Sequence, residues 1–351
     1  MAIAETTSIT MMGLSDIIRC SLLVTVCLSP VAHDHLQRTS DQEPRRDGRF
    51  AVIIEGVGGE PVYTQRFRNW THAMIDVLGG ELAFAEDHIF YLTASPTETV
   101  TANTARATAA EVRSTFERLN TMVEPGDLIF VFLVGHGSFD GQQAKFNLSG
   151  PDLTAEDFDR LLDALPTDNV ILVNAASASG AFIKPLSQPG RIVITATRSG
   201  YERNATRFAE FFIQAFKKEQ ADTDKNQRVS LLEAFTYATR MTAEWYERRG
   251  TLATEHALLD DNGDHVGHRG ALEGDGLLAR TTYLDARPLA QAVDDPILQQ
   301  LLDQRERLER AIEALKARKT EMSPTAYEAQ LEKLLVRLAR VNQSIKARQK
   351  R

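Results

Sequence analysis

Asn169–Ile183 reads NVILVNAASASGAFI. A run of Val, Ile and Leu reaches Asn174, and from there to Gly180 every side chain is Ala or Ser. A strand apolar on both faces belongs inside a parallel sheet that helices cover on both sides. The small residues after it have two explanations. One is a tight strand-to-helix turn. The other is a stretch of bare backbone that a ligand approaches closely at the carboxyl edge of the sheet.

The flanking sequence repeats the pattern. FAVIIEGV (50–57), HIFYLTA (88–94), DLIFVFLVGHG (127–137) and RIVITATRS (191–199) are further strand-length apolar runs. Between them lie segments of helical periodicity: 63–78, 108–123 opened by Thr108, 154–165 and 207–216. Thr154 followed by Asp157 resembles a capping box at the start of the third of these. The alternation predicts an α/β fold, a mainly parallel sheet flanked by helices.

The end of the chain differs. Tyr327, Leu331, Leu334, Leu338, Val341 and Ile345 recur at alternating spacings of four and three, a heptad seam. Leu301, Leu308, Ile312 and Leu315 line a matching helix upstream, and Ser323 with Pro324 supplies the break between them. Residues 294–351 therefore read as a C-terminal antiparallel helical hairpin (296–347). Such a hairpin packs on its own domain or docks a partner.

The bulk composition sets outer limits. The 351 residues are 43% apolar and 25% charged, ordinary for a soluble globular chain of one large domain with an accessory segment. The net charge is −8, yet residues 294–351 hold 13 Lys and Arg against 9 Asp and Glu. The remainder is correspondingly more acidic, which argues against nucleic acid as a partner. Residues 1–32 read as a secretory signal peptide whose apolar core, Ser21–Leu28, is too short to span a membrane. Residues 33–48 are a polar linker. The sequence thus describes an exported protein, periplasmic or secreted, with no stable membrane span after processing. Its two cysteines, Cys20 and Cys27, both fall in the leader, so the processed chain has no disulfide and no thiol nucleophile.

Two strand ends carry residues suited to chemistry. His136 lies between Gly135 and Gly137, where a general acid or base is approachable. Ser177 and Ser179 lie in the small-residue box. Together, a strand ending in His-Gly and a following strand ending in Ala/Ser-Ser-Gly resemble the caspase–legumain clan of cysteine peptidases, and bacterial legumain-like proteins most. The resemblance covers Phe50 to about Phe216, including VIIEGVGGEPVYTQRF (52–67) and VITATRSGYERNATRF (193–208). It implies a caspase-like sheet over 49–285, a peptide or protein ligand, and catalytic roles at these two strand ends. Aligned through Ser179 and Gly180, Ser177 falls where the clan keeps its cysteine. By position, Arg66, Arg198 and Glu202 are candidate walls of the substrate site.

That substitution decides the functional expectation. A thiol is appreciably ionised near neutral pH, whereas a serine hydroxyl needs a base bonded to it and a third group holding that base. Near His136 in sequence only Asp140 could serve, if its loop folds back. The expectation is a catalytically degenerate relative that binds peptide or protein. The alternatives are an active hydrolase using Ser177 with His136, or a calcium-stabilised structural module that assembles through the hairpin.

DTDKNQRVSLLE (222–233) matches the calcium loop of an EF-hand. Asp222, Asp224 and Asn226 stand at positions 1, 3 and 5, Arg228 offers a carbonyl at 7, and Ser230 and Glu233 stand at 9 and 12. Gln227 takes the place of the usual glycine, at a cost of about 1 kcal/mol for left-handed backbone. Calcium is expected here in a structural role. Asp260, Asn262 and Asp264 repeat the spacing without a closing Glu and form a possible second metal site. His256, His265 and His268 nearby are too irregularly spaced for zinc.

Overall fold

The structure, a computed structural model, describes residues 47–96, 99–270, 274–285, 296–317 and 322–349. The leader, both cysteines and nearly all of the linker lie outside the described residues.

The chain enters through β1 (Arg49–Glu55), α1 (Pro61–Gly79), β2 (Ile89–Thr93), β3 (Asn103–Arg106), α2 (Ala109–Met122) and β4 (Leu128–Val134). A small excursion follows, β5 (Gly137–Phe139), β6 (Ala144–Phe146) and β7 (Leu153–Thr154), before α3 (Ala155–Asp163), β8 (Val170–Asn174) and α4 (Ile183–Leu186). Then come β9 (Arg191–Thr195), α5 (Phe208–Ala215), α6 (Leu231–Arg248), β10 (Leu258–Asp260) and α7 (Leu277–Thr281). The main sheet has the order β10-β9-β8-β4-β1-β2-β3, and every pairing is parallel except β10 on β9. A second sheet of β5, β6 and β7 is antiparallel.

Alternation along each strand sends neighbouring side chains to opposite layers. Ala51, Ile53, Phe130, Phe132, Val173 and Ile194 face α1, α5 and α6, where Phe67, Met74, Phe212 and Phe235 meet them. Phe50, Val52, Val131, Leu133, Leu172 and Val193 face the other layer, with Phe116, Phe158 and Leu186. Each fully buried side chain of this size contributes roughly 1.5–3 kcal/mol, so the sheet is fixed from both sides. Strand order reverses between β1 and β4, since β2 and β3 extend one way and β8 and β9 the other. Crevices at such reversals, outside the carboxyl ends of the strands, are where α/β proteins bind ligands.

The expected α/β architecture and its main strands are present. Thr108 caps α2 by accepting the Glu111 amide, and Thr154 with Asp157 forms a complete capping box on α3. The sequence reading runs several strands too far, because the chain leaves the sheet at Val134 and Thr195 and turns into loops. It also misses β3, the small sheet, α6 and β10. Most of these strands are two to four residues long, too short for an alternation to register.

The last two helices, Pro296–Ala317 and Pro324–Gln349, form the expected hairpin. Leu298, Leu308, Val341 and Ile345 cluster with Leu301, Leu302, Leu334 and Leu338, so the heptad seam from Leu334 onward is covered within the hairpin itself. Ser323 caps the second helix by accepting the Ala326 amide. Among the described residues no helix is long and apolar enough to cross a membrane.

One long-range cap carries a pH signature. Glu255, 4% exposed, accepts the Arg207 amide at 2.7 and 2.9 Å, the Phe208 amide at 3.1 Å and the Tyr246 hydroxyl at 3.0 Å. It therefore caps α5 from a distant part of the chain. Burial pushes its carboxyl up to about 7. A raised carboxyl pKa means that the folded state holds the proton where the unfolded chain has lost it. This contribution to stability is full below the unfolded value of about 4.5 and is lost as pH rises through about 7. Its slope inside that window is at most about 1.4 kcal/mol per pH unit. Melting curves between pH 5 and pH 8 should show a downward component that Glu255→Gln removes.

Candidate functional site at the ends of strands four and eight

β4 leaves the sheet through Gly135-His136-Gly137. Both glycines answer a steric demand. A Cβ on Gly135 would lie 3.1 Å from the Gly56 Cα and from the Phe146 ring, and one on Gly137 would lie 2.4 Å from the Ser177 carbonyl oxygen. His136 is half-buried. Tyr63 and Phe67, one turn apart on α1, present their rings to it edge-on with centroids 5.1 and 5.0 Å away. Burial lowers the imidazole pKa, while a hydrogen bond with the Gly58 backbone and the charge of Glu60 oppose that shift. No carboxylate among the described residues hydrogen-bonds this ring. Asp140 turns elsewhere: it accepts the Gln142 and Gln143 amides and sits 3.8 Å from the Lys145 ammonium.

β8 ends at Asn174, and the Ala/Ser box folds into a turn pinned from three directions. The Ala176 amide donates to Asn174 Oδ1 at 3.0 Å. Ser179 Oγ accepts the Ala196 and Thr197 amides, and the Gly180 amide donates to Thr197 Oγ1. A Cβ on Gly180 would lie 2.2 Å from the Ser199 nitrogen. Small side chains are required here because the box packs against the bare backbone of 197–199 and of Gly137. The tight-turn explanation holds, and the turn lies at the carboxyl edge of the sheet.

Ser177 is 2% exposed. Its Oγ accepts the Gly137 amide at 3.2 Å and donates to the Gly137 carbonyl at 3.3 Å. Among the described residues no hydrogen bond joins Ser177 to His136. The fold therefore brings the two residues to neighbouring strand ends without pairing them. The hydroxyl proton points at a carbonyl, which cannot remove it.

The three wall candidates have distinct surroundings. Arg66 is half-buried, its guanidinium 5.3 Å from the Tyr63 ring and 5.9 Å from the Trp70 ring. Burial, and then repulsion from Arg207, lowers its pKa. Arg198 is exposed and pairs with Glu202 at 3.0 Å. Glu202 is largely enclosed, and its carboxylate is committed to Arg198 and His256. The sequence reading passes over Tyr63, Phe67, the Gly58 carbonyl and the Gly137 amide. Tyr63 and Phe67 had a signal, an aromatic pair at helical spacing after Gly-Gly; the backbone groups had none.

Asp222, Asp224 and Glu233 converge, each with a carboxylate oxygen within 4.8 Å of the others. Lys225 and Gln227 both take positive φ, 59° and 69°, so the loop makes its sharp turns without glycine. Asp222 accepts the Asn226 and Gln227 amides, and Asn226 Oδ1 accepts the Arg228 amide. Glu233 accepts the Thr223 amide on one oxygen and the Ser230 amide on the other, closing a capping box on α6. The Arg228 side chain turns away to Asp285 and lies over the Tyr283 ring. Burial, then the charges of Glu233 and Asp222, raises the Asp224 pKa.

The second acidic stretch is arranged differently. Asp260 is fully buried and accepts the Gly263 amide, while Asp264 accepts the Val266 amide and the Asn262 side-chain amide. Among the described residues these groups gather no third carboxylate or histidine at the spacing a metal ion needs. His256, His265 and His268 go to three separate partners, Glu202, the Lys184 carbonyl and Asp275.

The tight contact at Gly137 makes a sharp prediction. Both atoms that a new methyl would strike, the Ser177 and Lys145 carbonyl oxygens, are backbone and give way poorly. Gly137→Ala should lose roughly 1–3 kcal/mol or more in urea unfolding, whereas Gly79→Ala, with open space around it and no left-handed backbone, should lose less.

Comparison with known proteins places the site in context. No curated protein matches this chain. Among solved structures, the crystal structure of the Drosophila initiator caspase Dronc aligns at 12% identity over 64% of this chain and 83% of that one, with a TM-score of 0.39. Residues 105–259 match the Peptidase C13 family, a stretch that contains His136, the Ser177 box and the Asp222–Glu233 loop. Across that stretch the chain is similar to the legumain branch of the caspase–legumain clan of peptidases.

Proposed function

We propose that this chain is a legumain-like peptidase homologue that binds an extended peptide or protein segment at the His136–Ser177 cleft without cleaving it. One observation carries the reading: the Ser177 hydroxyl is engaged by Gly137 on both sides, and no base is bonded to it. A poor acid with its proton directed at a carbonyl is not an activated nucleophile. Arg66 stands beside the aromatic wall of His136, and the paired Arg198 and Glu202 are assigned to the rim. The leader in the sequence supports an exported location.

A working hydrolase is the second reading, and two features favour it. The lowered His136 pKa keeps the imidazole neutral, and the Gly137 amide beside Ser177 Oγ would suit a developing oxyanion. Peptide-library assays of the natural protein, Ser177→Ala and Ser177→Cys separate the two. Binding without cleavage by the natural protein and by Ser177→Ala is the expected result, and cleavage by the Ser177→Cys variant stays slow while its side chain is turned into Gly137. Cleavage by the natural protein that Ser177→Ala abolishes would overturn it.

We also infer that the Asp222–Glu233 loop takes calcium as a structural ion. Three convergent carboxylates, a left-handed turn at the EF-hand glycine position and mutual repulsion at Asp224 support this. Asp222, Asp224, Asn226, the Arg228 carbonyl, Ser230 and Glu233 would supply the oxygens, and the ion would relieve the repulsion. Ligand linkage then sets the size of the effect: calcium at 100 times its dissociation constant adds about 2.7 kcal/mol. Millimolar calcium should raise the melting temperature of the natural protein, and Asp224→Asn or Glu233→Gln should lose most of that rise. Glutamine at position 233 retains a capping partner, so the variant remains foldable. No response to calcium in the natural protein would rule the site out.

A further inference from the structure

The segment between β9 and α5 is fastened at both ends by two consecutive residues that precede β10. Glu255 holds its far end through the Arg207 and Phe208 amides. His256 holds the near end: its amide donates to Glu202 Oε2 at 3.1 Å, and its ring Nδ1 lies 2.5 Å from Glu202 Oε1. The same carboxylate accepts the Arg198 amide at 2.9 Å. Through its backbone carbonyl, Glu202 accepts the Ala178 amide at 2.8 Å.

Ala178 is the residue after Ser177, 1% exposed, with φ at +55°. A residue with a Cβ holds that conformation only when its surroundings impose it. The Glu202 carbonyl is one such restraint, and Glu202 can supply it only while its own position is fixed. Both carboxylate oxygens are bonded, so this side chain is an anchor for the turn.

We propose that Glu202, clamped by His256, is a positioning residue for the Ser177 turn. The clamp fixes the carbonyl that holds the Ala178 amide, and this keeps the Ser177 side chain turned into Gly137 and out of the cleft. The inference rests on the cleft reading only in taking position 177 as part of its floor.

Alkylation by iodoacetamide tests it on the Ser177→Cys protein, with modification counted on the peptide that carries position 177 so that Cys20 and Cys27 do not enter. Alkylation of that background should be slow, because the position is buried. Adding Glu202→Ala or His256→Leu should raise the rate at least tenfold, with amide exchange in β1 and β4 unchanged. Adding His256→Asn, whose side-chain nitrogen can donate where Nδ1 does, should return the rate to within threefold of the background. Equal rates in all four proteins would overturn the proposal. Faster alkylation accompanied by faster exchange across the sheet would overturn it too, since that marks a general support of the fold. If Glu202→Ala does not fold, the Leu and Asn variants at position 256 make the comparison. Peptide binding plays no part in the measurement, so a fruitless ligand search leaves this test intact.

Discussion

Two strand ends meet here at backbone distance, and most of the site follows from that contact. Gly137 must lack a side chain because the Ser177 carbonyl occupies the space. Once the two backbones are that close, the serine hydroxyl lies against the amide and carbonyl of one residue and is satisfied by them. A sulfur at the same position would be a larger atom and a weaker hydrogen-bond partner, with a proton it gives up far more readily. The same geometry therefore quiets a hydroxyl more completely than it would a thiol. The similarity to the Peptidase C13 family over residues 105–259 and the proposal of inactivity then do not conflict.

How much of this the sequence disclosed depends on the kind of interaction. The long strands were legible because Val, Ile, Leu and Phe fill both faces of β4 and β8, a pattern that only a covered parallel sheet explains. His136 and the Ser177 box were legible because glycine and alanine interrupt those runs abruptly. The hairpin was legible because its seam is periodic over many turns. The fastening of the 198–208 segment was not, since Glu202 and His256 stand 54 residues apart and neither belongs to a pattern. Edge elements were also lost: β10 is three residues long and takes its identity from pairing with β9. What periodicity encodes was readable; what single long-range hydrogen bonds encode was not.

The acidic character of the chain looks different once its carboxylates are placed. Several are internal struts that accept backbone amides. Glu255 caps α5, Asp261 takes the Gly276 and Ala279 amides at the start of α7, and Asp157 and Glu233 close capping boxes. Such groups stabilise by receiving hydrogen bonds in places where backbone donors would otherwise go without. Net charge therefore overstates how negative the surface is.

Left-handed backbone is unevenly distributed. Among the described residues, Ala83, Ala178, Lys225, Gln227 and His265 adopt it without being glycine, and four of the five lie in the Ser177 box or the two acidic loops. Glycine at any of these would relax the turn by about 1 kcal/mol and cost a similar amount in unfolded-chain entropy. The free-energy balance is then nearly neutral, while the range of shapes is not. A side chain with a β-carbon narrows the conformations open to the turn once it moves, so each loop has few alternatives to its present form. Rigidity is in this way concentrated at the places where a bound partner or ion would otherwise have to impose it.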